Sequence, residues 1–536
     1  MSTTSGTMEG IGQTGASEQR RVVFASSLGT VFEWYDFYLY ATLAPFFAGL
    51  FFPKENATAA LLSAFATYAA GFVVRPFGAL IFGRIGDLVG RKYTFLITIV
   101  VMGISTAGTG LLPVYAKVGI LAPILLVSLR LLQGLALGGE YGGAATYVAE
   151  HAPHGQRGAK TAWIQTTATL GLFMALVIIG LCRWKMSPDT FKNWGWRLPF
   201  LVSVILLIFS VYIRLKLQES PIFRRMKGEG RGSKAPLKDA FTNWKNLKII
   251  LLSLFGATAP EGVVWYTGQF YALFFLTIYL KVDYLTAYIL IAISLVLGTP
   301  FFIWFGALSD KIGRKGIMLA GFIIAAVTYF PLFKGLTHFV NPGLETFAKN
   351  TSITVASSGC KMHVFVGPNT KFSDCDRVTD YITKQGLSYT MVPEVPGQAV
   401  VTKIGSTEIQ GWSEDKFKEA FKATGIPKFD KSRMNWTMAI IILWIMVIYV
   451  TLVYAPIAAF LVELFPTRIR YTSMSFPYHI GNGWFGGLLP LLATAIVAKS
   501  GNIYAGLWYP IIVSAIGFII GLIWLPETKD IDIVHT

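Results

Sequence analysis

Charged residues are scarce. Asp, Glu, Lys and Arg make up 14% of the 536 residues, where a soluble chain of this size carries about 25%. Cysteine is scarcer, with three in the whole chain. There is no C-x-x-C, and no group of His, Cys and carboxylates has metal-ligand spacing, so nothing points to a dithiol redox centre or a zinc site. No G-x-x-x-x-G-K-[ST] phosphate loop occurs, which argues against ATP-driven chemistry. No nucleophile–base arrangement stands out either, and an enzyme is not expected. Residues 1–19 are polar and Ser/Thr/Gly-rich, and the first apolar run is too long for a signal-peptide core. The expectation is therefore a cytoplasmic tail over 1–21 without a cleavable signal.

What the chain has in excess is apolar length. It is 54% hydrophobic, with a mean hydropathy of +0.55. Runs of about 20 apolar residues recur, each enough to cross a hydrocarbon core about 30 Å thick. Twelve spans are expected, near 22–49, 57–82, 94–112, 121–149, 161–182, 198–216, 248–280, 285–308, 316–334, 435–463, 471–498 and 503–525. The net charge of +17 would suit nucleic acid, but its placement argues otherwise. With both termini inside, Lys and Arg crowd the cytoplasmic segments and are sparse in the short outer loops, which is the bias that orients membrane proteins.

The chain also repeats itself. GRIGDLVGRK (83–92) and GALSDKIGRK (306–315) share Gly, three residues, Asp, two residues, Gly-Arg-Lys. Both lie in short polar gaps between apolar runs. Asp87, Arg91, Asp310 and Arg314 are expected to latch helix ends together by charge-assisted hydrogen bonds. Glu150…Pro153…Arg157 after the fourth span is echoed by Glu463…Pro466…Arg468 after the tenth, and Glu219-Ser-Pro by Pro526-Glu527-Thr. Two halves of six spans follow (22–216, then 248–335 with 435–525), joined by a basic cytoplasmic linker (217–247) and closed by a tail (526–536).

These motifs resemble the major facilitator superfamily. Phe32-Glu33-Trp34-Tyr35-Asp36-Phe37, Arg75-Pro76-Phe77-Gly78 and Arg130-Leu-Leu-Gln133-Gly134 with Gly138-Gly139-Glu140-Tyr141 are similar to its metabolite:proton symporter branch, which includes 2-oxoglutarate, citrate, shikimate and proline/betaine permeases. The resemblance implies an all-α membrane fold of two six-helix bundles in a bacterial inner membrane. It covers nearly everything except 336–434. By parity that insert lies on the outer, periplasmic side, and its patterning suggests a small α/β domain. MHVFVG (362–367) alternates like a strand, 374–386 reads as an amphipathic helix, 398–412 as a hairpin and 413–424 as a closing helix. The order loosely resembles a glutaredoxin-like domain, although Ala399 stands where that family has a proline. Cys360 and Cys375 would pair in an oxidising compartment. A docking role towards an outer partner is expected for the insert.

Ionisable residues inside a membrane are expensive and usually functional. At about 1.5 Å per residue, Asp36 lies about 21 Å from the cytoplasmic face and Glu33 one turn below it. Arg75 and Glu261 fall about 18 and 20 Å up, and Arg130 about 13 Å from the outer face. All converge near the midplane, where carriers bind their solutes. Arg75 and Arg130 offer the planar fork that fits a carboxylate, and Glu261, Trp265 and Gln269 share one face of span 7. Asp36 or Glu33, alternating between a protonated state and an ion pair with Arg75, would couple transport to protons without a metal or cofactor. Glu140 is a second relay or an inner latch, and His479 and Asn482 are further residues to line the path. The expectation is a monomeric proton symporter for a small organic carboxylate. A zwitterion carrier and a receptor or redox sensor acting through the insert are its rivals.

Overall fold

The computed structural model describes residues 16–52, 57–88, 91–153, 155–215, 228–229, 234–357, 359–361, 370–393 and 399–533. Ten helices among them are long and apolar enough to cross a membrane. Helix Ala16–Phe51 precedes them, and Arg91–Leu111 contributes a shorter apolar stretch, so the described residues carry the twelve spans. Large apolar side chains point outward at helical spacing on the peripheral spans, as with Ile205, Ile208, Phe209 and Tyr212 on span 6 and Ile512, Ile516, Ile519 and Ile523 on span 12. An apolar exterior of this kind is what lipid requires.

Several spans are broken where function would concentrate. Span 2 divides at Val74, between Ala57–Val73 and Arg75–Leu88. Pro76 has no N–H to give to the preceding turn and disfavours helical geometry at its neighbour. At the break, the carbonyl of Val73 accepts from the indole N–H of Trp484 on span 11, at 3.1 Å. Span 4 divides at Gly139 and Glu140, between Leu121–Gly138 and Tyr141–His151. Span 7 (Trp244–Tyr279) contains three wide π-turn stretches, Leu254–Thr258, Thr267–Tyr271 and Phe275–Tyr279, and span 11 (Arg470–Ser500) one, Gly481–Gly486. Such turns re-aim side chains and recur at working sites.

Glycines set how closely spans 2 and 4 approach. A Cβ at Gly134 would overlap the Gly71 carbonyl, and one at Gly142 would overlap the Ser475 hydroxyl of span 11. The first contact draws Arg75 and Arg130 into one layer. The second brings the two halves together.

Span 9 (Arg314–Val340) runs further than its expected end near 334, and the insert begins with helix Pro342–Asn350. Its sheet contains β1 (Ile353–Ala356), β2 (Thr390–Val392), β3 (Val401–Ile404) and β4 (Thr407–Gln410) in the order β2-β1-β3-β4. β1 pairs with β2 in parallel and with β3 antiparallel, and β3 with β4 antiparallel. Helix Asp374–Lys384 crosses between the parallel strands, its start fixed by a capping box of Ser373 and Asp376. Helix Glu414–Ala423 closes the domain; Ser413 precedes it without a side-chain cap bond. The expected strand 362–367 lies outside the described residues. β1, β2 and helix Pro342–Asn350 are additions, all short segments with little periodicity. Cys360 and Cys375 are joined by a disulfide.

The insert is stapled to the second half. Tyr389 N–H donates to the Gly501 carbonyl (2.8 Å) and its hydroxyl to that of Ala498 (3.2 Å), while the Lys281 ammonium donates to the Lys384 carbonyl. Asn341 Nδ2 donates to the Leu280 carbonyl at 3.0 Å.

Candidate functional site

At mid-depth, two arginines of the first half lie among aromatic rings. Arg75 faces Phe72, Phe37 and Trp34, at 5.0, 5.4 and 5.6 Å from its guanidinium carbon to the ring centres. Arg130 faces Phe37 and Tyr40, both at 4.6 Å, and Tyr68 at 5.3 Å. Both are fully buried and share the Phe37 ring. None of the three Arg75 guanidinium nitrogens, and neither Nε nor Nη2 of Arg130, has a hydrogen-bond partner among the described residues. Cation–π contact offsets part of the cost of burying these charges, yet it leaves their N–H groups free to receive an acceptor.

Around Arg130 a relay runs through neutral groups. Its Nη1 donates to Gln133 Oε1. Gln133 Nε2 donates to the Thr106 hydroxyl at 2.7 Å and to the backbone carbonyl of Asp36 at 3.2 Å. Thr106 is also the hydrogen-bonding neighbour of the Asp36 carboxyl, whose Oδ1 has no partner among the described residues. The expected Asp36–Arg75 pair is therefore not formed. The Asp36 carboxyl is turned to Thr106 of span 3, while Gln133 of span 4 holds its backbone carbonyl. Glu33 lies on span 1 with its side chain outside the described residues.

The carboxylate that does face Arg75 comes from the other half. Glu261 and His479 are both electrostatic neighbours of Arg75. Glu261 Oε2 accepts from Asn482 Nδ2 at 2.7 Å, and its Oε1 is unpartnered among the described residues, as are both nitrogens of His479. One turn on, the Trp265 indole stacks on Tyr38 of span 1 at 5.5 Å, so spans 1 and 7 meet face to face. The Trp265 N–H and both amide atoms of Gln269 also have no partner among the described residues. Arg75, Arg130, Glu261, Trp265, His479 and Asn482 thus gather between the halves, and Gln269 is buried further along span 7. Asp36 sits one helix behind.

At the end of the spans opposite the insert the halves are tied by charge. Asp310 accepts from the first turn of span 5, Gly158 N–H and Ala159 N–H both at 2.8 Å, where a carboxylate suits the helix dipole. Arg314 donates to Asp310 (2.7 Å), to Ser309 (2.7 Å) and in a fork to Glu463 (3.2 and 3.0 Å). Arg157 of the first half approaches Glu463 at 3.6 Å, and Arg470 of the second meets Glu150 of the first at 3.3 Å. Glu527 caps span 9 by accepting the Arg314 and Lys315 N–H groups at 2.8 and 3.0 Å. Asp87 and Arg91 stand at the matching place between spans 2 and 3, with side chains outside the described residues. Glu140 takes no part in this inter-half network: it pairs with Arg214 of span 6, within its own half.

Sequence reasoning undervalued Glu463, Arg157, Glu150 and Arg470. The signal was present, since Arg157 follows Glu150 at the same interval as Arg470 follows Glu463; Arg468 is the wrong register for the echo. The tyrosines were also missed. Tyr141 and Tyr478 stack across the halves at 3.5 Å, and Tyr478 shares a 2.8 Å hydrogen bond with Tyr454.

Two helical halves that meet around buried charges, with a charged tie on one side, define a membrane carrier. The chain belongs to the major facilitator superfamily of transporters. Residues 22–249 match the family described as "Sugar (and other) transporter". The chain is 42% identical over 240 residues to the inner membrane metabolite transport protein YhjE of Escherichia coli (strain K12), which covers 45% of this chain and 54% of that protein. It is 35% identical to the shikimate transporter of the same organism, over 60% of this chain and 73% of the relative. A relative from Staphylococcus aureus (strain COL) named for proline/betaine transport is 36% identical over 58% of this chain and 67% of its own length. Among solved structures, the proton:xylose symporter XylE bound to 6-bromo-6-deoxy-D-glucose superposes with a TM-score of 0.62, covering 97% of this chain and 98% of that one at 15% identity. At that identity the likeness is one of fold.

Proposed function

We propose that this protein is a proton-coupled symporter that carries a small organic carboxylate, such as a dicarboxylate, tricarboxylate or 2-oxo acid, inward by alternating access. The observation that carries the reading is the pair of buried arginines whose N–H groups, apart from Arg130 Nη1 on Gln133, find no acceptor among the described residues. An anionic solute seated between them would supply the acceptors in the bidentate geometry that arginine favours. A relative named for shikimate, itself a carboxylate, supports this class.

In this mechanism Arg75 and Arg130 hold the solute, with Trp265 and Gln269 completing the wall from the second half. Glu261 and the anion compete for Arg75. Protonation of Glu261 releases Arg75 to the solute, and loss of that proton restores the pairing and expels it. Asp36 takes up the coupling proton on the first-half side and signals to Arg130 through Thr106 and Gln133. Glu140, paired to Arg214, steadies the broken span 4. The Asp310–Arg314–Glu463–Arg157 and Glu150–Arg470 ties close the cytoplasmic side while the site faces outward, and Asp87 and Arg91 act at the symmetry-related loop. The proton is the only coupling ion; no cofactor takes part. Both termini lie in the cytoplasm of a bacterium, and the insert lies in the periplasm.

The second reading is a carrier for zwitterions such as proline or betaine. It is favoured by the aromatic walls at the site, which suit a quaternary ammonium, and by the staphylococcal relative's name. Competition of labelled solute uptake by excess 2-oxoglutarate or excess glycine betaine separates the two, because only the anion should compete under the first. If the insert were instead the working part of a receptor, deleting 340–430 would abolish function; a carrier keeps uptake.

A further inference from the structure

We infer that the insert roofs an outer anion-gathering subsite, a cavity between the two halves in which Lys281 and Lys384 attract small organic anions ahead of the central site. The cavity measures about 450 Å³. Pro45 and Leu61 of the first half form one wall, Tyr279 and Thr494 of the second half another, and Thr383 and Lys384 of the insert lie against it. It is a half-open cleft, and the end of helix Asp374–Lys384 forms its third side over the ends of the spans.

The charge of the lining is one-sided. Two lysines line the cavity and, among the described residues, no Asp or Glu does; Glu414 of the closing helix, outside the lining, is the carboxylate neighbour of Lys384. Asp283 lies close in sequence, but its carboxylate caps span 8 by accepting from Thr286 N–H at 2.9 Å. Just beyond Tyr284, which also lines the space, the Arg183 guanidinium sits 4.5 Å from that ring, and neither its Nε nor its Nη2 has a partner among the described residues. A cleft with walls of low dielectric and one sign of charge raises the local concentration of the opposite ion.

The local backbone is shaped for this arrangement. Lys281 adopts the left-handed region (φ 59°), uncommon for a residue with a Cβ, and its ammonium bridges to the Lys384 carbonyl. Gly386, also left-handed (φ 75°), seats the insert directly on the Tyr279 carbonyl, where a Cβ would collide. Beneath the cavity, Phe65 of span 2 meets Phe274 of span 7 at 4.7 Å, and Phe270 meets Tyr38 at 5.1 Å. These rings separate the lysines from the arginine layer. The subsite is therefore a waiting position above a closed aromatic floor. That its anion is the transported solute rests on the carboxylate reading given above; that it attracts anions does not.

The test measures the local potential without reference to any solute. In a Cys182→Ser background, with the disulfide intact, a Leu61→Cys substitution places a thiol on the cavity wall. Its modification rates with anionic methanethiosulfonate ethylsulfonate and cationic methanethiosulfonate ethyltrimethylammonium are compared in full-length protein. The anionic reagent should react faster. Lys384→Gln, at an exposed position that folding tolerates, should lower the anionic-to-cationic ratio about threefold, and Lys281→Gln with Lys384→Gln about tenfold, with Lys384→Arg restoring it. About 1 M salt should remove the difference. A ratio that stays the same when Lys384 is neutralised overturns the subsite. A protein that labels as expected yet never moves 2-oxoglutarate leaves the subsite standing and counts against the carboxylate reading alone.

Discussion

Arg75 and Arg130 are the residues on which the account turns. Each lies among aromatic rings, with Glu261 the one carboxylate facing Arg75 among the described residues, so most of their hydrogen-bonding capacity is held for something else. Arg75→Lys or Arg130→Lys keeps the charge but loses the fork. A hydrogen bond to a charged group contributes about 1.5–3 kcal/mol, so each change should raise KM for the carboxylate roughly tenfold to a hundredfold while the protein still folds; initial-rate uptake gives the answer. Asp36→Asn should abolish accumulation against a gradient and spare exchange of internal for external solute, because only the protonatable group is lost. Lys281 carries a pH signature. Burial, aided by the nearby Lys384 charge, pushes its ammonium down to about 8. The group is charged below that value and neutral above it. The anionic-to-cationic labelling ratio at position 61 should therefore fall as pH rises from about 7 to about 9, while Glu414, the carboxylate neighbour of Lys384, stays ionised throughout.

At the scale of elements, the ion-pair tie is a set of helix-end residues that reach across to the opposite half. Asp310 belongs to the second half but caps span 5 of the first, and Arg157 returns the contact to Glu463. A buried charge left without its partner is costly, about 3–5 kcal/mol. Glu463→Gln should therefore weaken the closed cytoplasmic face and favour inward opening. The readout is a Ser475→Cys thiol, placed where span 11 packs on Gly142: labelling from inside-out vesicles should accelerate, and an unchanged rate would remove Glu463 from the gate. Much of this was legible in the chain. The doubled Gly-x-x-x-Asp-x-x-Gly-Arg-Lys located Asp310 and Arg314, whereas hydropathy ended span 9 short of Val340. What hydropathy and spacing do not encode is the partner of each charge. Asp36 and Arg75 fall at similar depth, yet the direction of a side chain depends on Gln133 and Thr106 in other spans. The break at Pro76 and the π-turns of span 7 rotate faces in ways a regular helical wheel does not anticipate. That is why Glu261, not Asp36, faces Arg75. In the insert, helix and hairpin patterns were plain, whereas β1 and β2, four and three residues long, are too short to show alternation.

At the scale of the whole molecule, the features fall into three layers. The outer layer is the cavity under the insert, floored by Phe65 and Phe274. The middle layer contains the arginines with Glu261 and His479 between the halves. The inner layer is the ion-pair tie. Aromatic contacts separate the first two layers, and the Tyr141–Tyr478 stack separates the second from the third. A carrier of this family works by opening one side at a time, and the arrangement gives each end its own closure: rings toward the insert, charges at the opposite end. The central claim is that the buried charge layer exchanges a proton for the right to hold an anion. Its most direct measurement is uptake of a panel of radiolabelled carboxylates by proteoliposomes, with and without an imposed gradient that is acid outside. The account predicts that at least one carboxylate accumulates only when the gradient is present, and that Arg75→Lys weakens that uptake. Accumulation that ignores the pH gradient, or accumulation of betaine with every carboxylate excluded, would contradict it.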